Sequence, residues 1–151
     1  MKTLLFVYAS QSGHTRALVM AAAGAAGGED NVAVRVLPAL QAGIDELLAC
    51  HALVLATPEN FGYMAGALKD FLDRTFYPAQ GKVAGLPYAL IISAGNDGQG
   101  ALTAIRRIAS GYPLHEALPP LLVKGEVTEA ALAAAAELGA TLAAALSIGA
   151  I

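Results

Sequence analysis

The sequence is short of cysteine, tryptophan and charge. It has one Cys and no Trp, and Asp, Glu, Lys and Arg together make up 14% of its 151 residues. A lone Cys50 excludes an internal disulfide and any cysteine-rich metal site. The nine Lys and Arg residues are scattered and form no stripe along a phosphate backbone, so nucleic acid is not an expected partner. No uninterrupted apolar run reaches the roughly 20 residues that a membrane-spanning helix needs, so no membrane partner is expected. The first apolar stretch, Leu4 to Ala9, gives way to polar Ser10-Gln11-Ser12-Gly13 where a signal peptide would continue, so a cytoplasmic setting is expected. Low charge does not mean disorder, because 56% of the residues are hydrophobic. A chain of this length buries roughly 68–70% of its unfolded surface and fits one domain, residues 1–151.

Short apolar runs of the β type alternate with Ala/Leu-rich helical patterns. Strands are expected at Leu4–Ala9, Val32–Leu37, Ala52–Ala56, Tyr88–Ser93 and, more weakly, Pro120–Val123. Helices are expected at Thr15–Ala26, Asp45–Ala49, Ala65–Arg74, Leu102–Ser110 and Thr128–Leu146, with Thr128 as N-cap of the last. The strands are continuously apolar rather than alternating, which means burial on both faces. The fold class is therefore α/β: a doubly wound parallel sheet with helices on both faces. Such sheets bind ligands beyond the C-terminal ends of their strands, where strand order reverses.

Three loops occupy that position. Ser10-Gln11-Ser12-Gly13-His14-Thr15 joins the first strand to a helix. Its hydroxyls, its Gly13 and the free N–H groups of the helix start make a phosphate cradle without a lysine. The spacings of a Walker A loop, a dinucleotide fingerprint and a nucleophile elbow are all absent. The second loop, Thr57-Pro58-Glu59-Asn60-Phe61-Gly62-Tyr63-Met64, offers aromatic rings to flank a planar ligand and Asn60 to bond its polar edge. The third, Ser93-Ala94-Gly95-Asn96-Asp97-Gly98-Gln99-Gly100, is small and polar and admits a ring close to the backbone.

These residues resemble the flavodoxin-like FMN-binding superfamily, and within it the NAD(P)H-dependent FMN reductase and quinone reductase branch. The segment Thr57-Pro-Glu-Asn-Phe-Gly-Tyr-Met-Ala-Gly-Ala-Leu-Lys-Asp-Phe-Leu-Asp-Arg74 carries most of the likeness, and the Ser10–Thr15 loop matches the superfamily's phosphate loop. The resemblance implies a flavodoxin-like five-stranded sheet of order 2-1-3-4-5 and FMN as cofactor. It implies that Ser10, Gln11 (through its backbone), Ser12, Gly13, His14 and Thr15 hold the phosphate. Pro58, Glu59, Asn60, Phe61, Gly62 and Tyr63 would line one side of the flavin ring, and Ser93, Gly95, Asn96, Asp97 and Gly98 the other. It further implies NAD(P)H as electron donor, a small-molecule acceptor and no catalytic acid–base pair, because the flavin carries the chemistry.

Two functions compete. One is an NAD(P)H-dependent oxidoreductase passing electrons through FMN to a flavin, quinone or similar acceptor. The other is a flavodoxin-type electron carrier. A carrier steered by its charge would be more acidic than the −3 found here, which favours the reductase. An aromatic rim at Phe61 and Tyr63 would suit a homodimer with an intersubunit site. Cys50 and His51 are neighbours on a strand edge and point apart, so they are not expected to act as a pair. Arg106 and Arg107 could meet a 2′-phosphate, but a solvated helix face is the stronger expectation. Lys69, Asp70, Asp73 and Arg74 are spaced for ion pairs along a helix.

Overall fold

The computed structural model describes residues 1–151. Its central strand, β1 (Lys2–Tyr8), shows why the apolar runs are continuous. Leu4, Leu5, Phe6 and Val7 are all fully buried. Leu5 and Val7 enter one core and Leu4 and Phe6 the other, because successive side chains leave opposite faces. β2 (Val32–Pro38) and β3 (Ala52–Asn60) flank β1 in parallel, and β5 (Pro87–Ala94) lies beyond β3. Two short strands, β6 (His115–Glu116) and β7 (Leu121–Lys124), share the next position, both parallel to β5. The five-position order is the expected 2-1-3-4-5, with the fifth strand in two pieces. Pro119 and Pro120 lie between the pieces and offer no N–H to a ladder.

Helices cover both faces. α1 (His14–Ala26) and α5 (Glu129–Ser147) pack with Leu4, Phe6 and Val54 on one side. α2 (Ile44–Ala49), α3 (Gly66–Ala79) and α4 (Gln99–Gly111) pack with Leu5, Leu55 and Leu90 on the other. Thr128 caps α5 as expected, its hydroxyl accepting from the N–H of Ala131 at 3.1 Å. α5 is also long and apolar enough to cross a membrane by length and composition. Its inner residues, including Leu138, Leu142 and Leu146, are buried in the core it shares with α1. At Gly139 the two helices approach so closely that a Cβ would lie 2.0 Å from the carbonyl oxygen of Ala22.

Three boundaries differ from expectation: α4 begins at Gln99 rather than Leu102, inside the stretch read as the third loop, and β3 and α3 both run on. β3 does not stop at Thr57-Pro58. It continues to Asn60 and turns back as a two-residue strand, β4 (Tyr63–Met64). Pairing of β1 with β3 ends at Ala56, so β3 is an edge beyond that point, where proline is tolerated. α3 runs past Arg74 to Ala79, because Thr75 and Ala79 extend the buried stripe of Leu68, Phe71 and Leu72.

Candidate functional site

Loops from β1, β3 and β5 meet at the C-terminal edge of the sheet, where the chain leaves β1 for one face and β3 for the other. A cleft of about 370 Å³ there is lined by Gln11, Ser12 and His14, by Pro58, Glu59 and Asn60, and by Ser93, Ala94 and Gly95. Gly125 and Glu126 complete its wall. These last two were missed in the sequence. They follow the last strand, so the rule that ligands gather at strand C-termini was the signal that could have found them.

The first loop leads into α1 through Gly13, which takes φ +95°. No acceptor within the protein meets the backbone N–H groups of Gln11, Ser12, Gly13, His14 and Thr15. The N–H of Arg16 does have one, the hydroxyl oxygen of Ser10 at 3.3 Å, which leaves the Ser10 O–H free to donate elsewhere. The result is a row of open donors at the positive end of a helix. Thr15 departs from its expected role. Its side chain is buried, and its hydroxyl shares a 2.8 Å hydrogen bond with that of Ser93, itself buried. The pair ties the first loop to the end of β5, and the Thr15 hydroxyl is not presented to the cleft.

The second loop is a hairpin whose turn residues, Phe61 and Gly62, have φ of +52° and +72°. Positive φ at both turn positions is the geometry of a tight two-residue hairpin. At the hairpin's base the Thr57 hydroxyl accepts from the N–H of Ala65. Asn60 donates to the Gln11 side-chain oxygen at 2.7 Å, joining the hairpin to the first loop. Glu59 does not present its carboxylate as a ring ligand: Oε2 accepts from the N–H groups of Gly100 and Ala101 in α4, at 2.9 and 3.1 Å. Phe61 is wholly exposed and Tyr63 is 41% exposed, while Met64 is buried.

The third loop ends at Gly98, which is buried at φ +72° and begins α4. A Cβ on Gly98 would press on Ile92 at 3.3 Å, so Gly98 belongs to the loop's frame. Gly95, Asn96 and Asp97 are exposed, and the Asp97 carboxylate accepts from the N–H of Gln99. The start of α4 lines a neighbouring recess with Glu59, Gly62, Asn96 and Asp97, and the two helix starts are in opposite states. α4 has its first amides closed by Asp97 and Glu59. α1 has its first amides open. An anionic ligand is directed to α1.

On the other side of the Gln11–Asn60 bond lies a larger cavity of about 520 Å³, where the predicted Ser10 and Gly13 meet a wall that sequence reasoning did not anticipate. Arg16 is its charged residue, and Pro38 to Gln41 form one wall. Arg74 holds that wall in place. Its guanidinium donates to the carbonyl oxygens of Ala42 and Ala39 and to Asp70.

Other titratable groups act structurally. Cys50 is buried, donates to the Leu47 carbonyl and has its thiol pushed up to about 12 by burial, so it is not a nucleophile. His51 accepts from the N–H of Thr3 instead. Arg106 makes a two-pronged pair with Glu116, both bonds at 2.8 Å. Lys69 pairs with Asp73 one helical turn on.

A family model for NADPH-dependent FMN reductase matches residues 28–123. The chain belongs to this family. Solved structures agree on the fold. A flavodoxin from the domain Archaea superposes with a TM-score of 0.83 at 24% identity, covering 94% of this chain and 96% of that one. A flavodoxin, WrbA-like protein from Agrobacterium tumefaciens gives 0.77 at 18% identity, covering 99% of both chains. A flavodiiron protein from Giardia intestinalis gives 0.82 at 19% identity; 99% of this chain matches 37% of that larger one. Membership in this family makes FMN the cofactor class. The residues present fit it: Ser12 and His14 stand with open amides in the cleft and Ser10 and Gly13 in the adjoining cavity, polar groups suited to a phosphate, while Pro58, Asn60 and Gly95 line the cleft where a flat ring could lie.

Proposed function

We propose that this chain is an FMN-dependent oxidoreductase that takes electrons from NAD(P)H and delivers them to a flavin, quinone or similar small acceptor. The observation that carries this reading is the contrast between the two helix starts. Of the residues with open amides, Gln11, Ser12 and His14 line the cleft where the three loops meet, and Gly13 lines the adjoining cavity. Ser10, Ser12, His14 and those amides would hold the phosphate. Pro58, Asn60, Phe61, Gly62 and Tyr63 would line one side of the ring, and Gly95, Asn96 and Asp97 the other. When bound, FMN supplies the electron-transfer chemistry. The protein's part is to neutralise the phosphate, orient the ring between two loops and leave a side open to the acceptor. NAD(P)H as donor rests on the family alone. The exposed Phe61 and Tyr63 support a homodimer formed over the cleft, and a monomeric sedimentation profile of the FMN-loaded chain would count against it.

The second reading, a flavodoxin-type carrier, is favoured by the whole-length likeness to a flavodoxin. One anaerobic experiment separates the two. The chain is loaded with FMN, freed of excess flavin, and its visible spectrum followed on adding NADPH and then NADH. Retained flavin that bleaches promptly supports the reductase. Retained flavin that stays oxidised with both donors, yet is reduced by a separate reductase, supports the carrier. A chain that neither retains FMN nor turns it over as an exchanging substrate refutes the cleft assignment.

A further inference from the structure

Glu59 and Asn60 are neighbours on β3, and their side chains leave the strand in opposite directions. Asn60 reaches back to the first loop and Glu59 reaches forward to α4. We propose that Glu59 is a positioning residue for the cleft, fastening the β3–β4 hairpin to the first turn of α4 instead of contacting the ligand. This rests on the FMN reading above and names what holds one wall of that same site.

Three observations converge. First, α4 begins at Gly98, which has no side chain to cap it. The amides of its second and third residues, Gly100 and Ala101, would be orphaned without Glu59. Glu59 supplies the acceptor from another element and puts a negative charge at the helix's positive end. Second, the hairpin turn lies directly on that helix start. A Cβ on Gly100 would stand 2.0 Å from the carbonyl oxygen of Gly62. The position therefore requires glycine, and the two segments meet backbone to backbone. Third, the hairpin is a short ribbon whose core anchor is the buried Met64 at the end of β4. Its register is two residue pairs, Glu59 with Met64 and Asn60 with Tyr63, and so short a ribbon is not stable alone. Its tip carries Phe61, wholly exposed and at positive φ. The hairpin is held at its base by Thr57 and on its two sides by Asn60 and Glu59. The Glu59 bonds go to backbone of a packed helix, whereas the Asn60 bond goes to an exposed side chain.

The test compares wild type with Glu59→Gln, Glu59→Ala and Gly100→Ala. Two quantities are read: amide hydrogen exchange over residues 59–64 and 99–101 without ligand, and FMN affinity by quenching of flavin fluorescence. Glu59→Ala is expected to speed exchange at Gly100, Ala101 and the hairpin. It should weaken FMN binding about 10-fold, which corresponds to about 1.4 kcal/mol, the scale of one lost cap. Glu59→Gln keeps an acceptor oxygen and should stay within about 3-fold of wild type. Gly100→Ala, with Glu59 intact, should loosen the hairpin by pushing on Gly62 and reports the backbone contact alone; if Glu59→Ala fails to fold, Glu59→Asp, one methylene too short to reach the α4 amides, takes its place. Unchanged hairpin exchange in the folded Glu59 variant that loses those bonds overturns the proposal. So does a Glu59→Gln variant that loses FMN affinity as fully as Glu59→Ala while its hairpin exchange stays normal, because the carboxylate would then act on the ligand itself. If wild type retains no FMN, the functional reading fails, and the exchange comparison still decides whether Glu59 anchors the hairpin.

Discussion

Replacing Gly139 by Ala should separate α1 from α5, and the size of the effect follows from the contact there. A Cβ at Gly139 would lie 2.0 Å from the oxygen, 2.6 Å from the carbon and 2.8 Å from the Cα of Ala22. An ordinary C···O approach is about 3.3 Å or more, so the helices must part locally by about 1 Å. A gap of that size forfeits a quarter to a half of each dispersion contact along the seam. The seam includes Leu18, Val19, Ala22 and Ala26 from α1 and Ala135, Leu138 and Leu142 from α5, all buried. Overpacking of this kind costs about 1–3 kcal/mol. Replacing a helical Gly with Ala also gains about 1 kcal/mol of helix propensity, which would mask part of the cost. Gly24→Ala removes that ambiguity. Gly24 lies inside α1, is exposed and has nothing within 4 Å of its Cβ position. Both substitutions gain the same propensity, so the difference between them isolates the steric cost, about 1–3 kcal/mol. For a chain of this length that is a gap of roughly 2–12 °C in Tm, Gly24→Ala above wild type and Gly139→Ala below Gly24→Ala. Thermal and urea unfolding of the FMN-free chain measure it. Equal stabilisation by the two variants would refute the close approach of α1 and α5.

Three further outcomes are expected. Gly13→Ala meets no neighbour but must adopt φ +95°, so it should lose about 1–2 kcal/mol of stability through backbone strain alone; FMN fluorescence titration should also show weaker binding, and unchanged affinity would argue that the first loop does not hold the ligand. Arg74→Lys should loosen residues 38–42, because an ammonium cannot span Asp70 and two carbonyls as a planar fork does; faster proteolysis or amide exchange there, with α3 intact, is the measurement. Arg106 holds the Glu116 carboxyl below its ordinary value of 4.5, chiefly through their hydrogen bonds. The pair therefore contributes stability above pH 4.5 that disappears as pH falls through Glu116's lowered value. Arg106→Ala should lower stability by no more than about 1 kcal/mol at pH 7, since the pair is partly exposed, and its curve should converge with wild type in acid.

The sheet was legible because its strands satisfy one strong constraint. Leu4 to Val7, Leu53 to Ala56 and Ala89 to Ile92 must be apolar at every position to be buried on both faces. The parallel sheet and its ligand-facing edge followed from that pattern, whereas the strand order 2-1-3-4-5 rested on the family resemblance. The cleft was legible at the level of loops and less so at the level of atoms. The second loop was read as aromatic residues around a ring, whereas Pro58 lies within a strand that extends to Asn60. A proline normally marks a stop; here it falls where β1 has ceased to pair, a fact of tertiary register. The side chains of Glu59 and Thr15 also bond within the protein, Glu59 through Oε2 to Gly100 and Ala101 and Thr15 to Ser93. Their partners are distant in sequence, and no local spacing links Glu59 to residue 100. Yet Glu59 lies in the segment that carried the family likeness. Within Thr57 to Arg74, Asn60 serves the cleft, while Glu59 and Arg74 brace its surroundings, one against α4 and the other against the 38–42 wall. A recognisable motif thus need not be a list of ligand contacts. The bond partners show which of its residues also brace the fold, and those partners lie far away in the sequence.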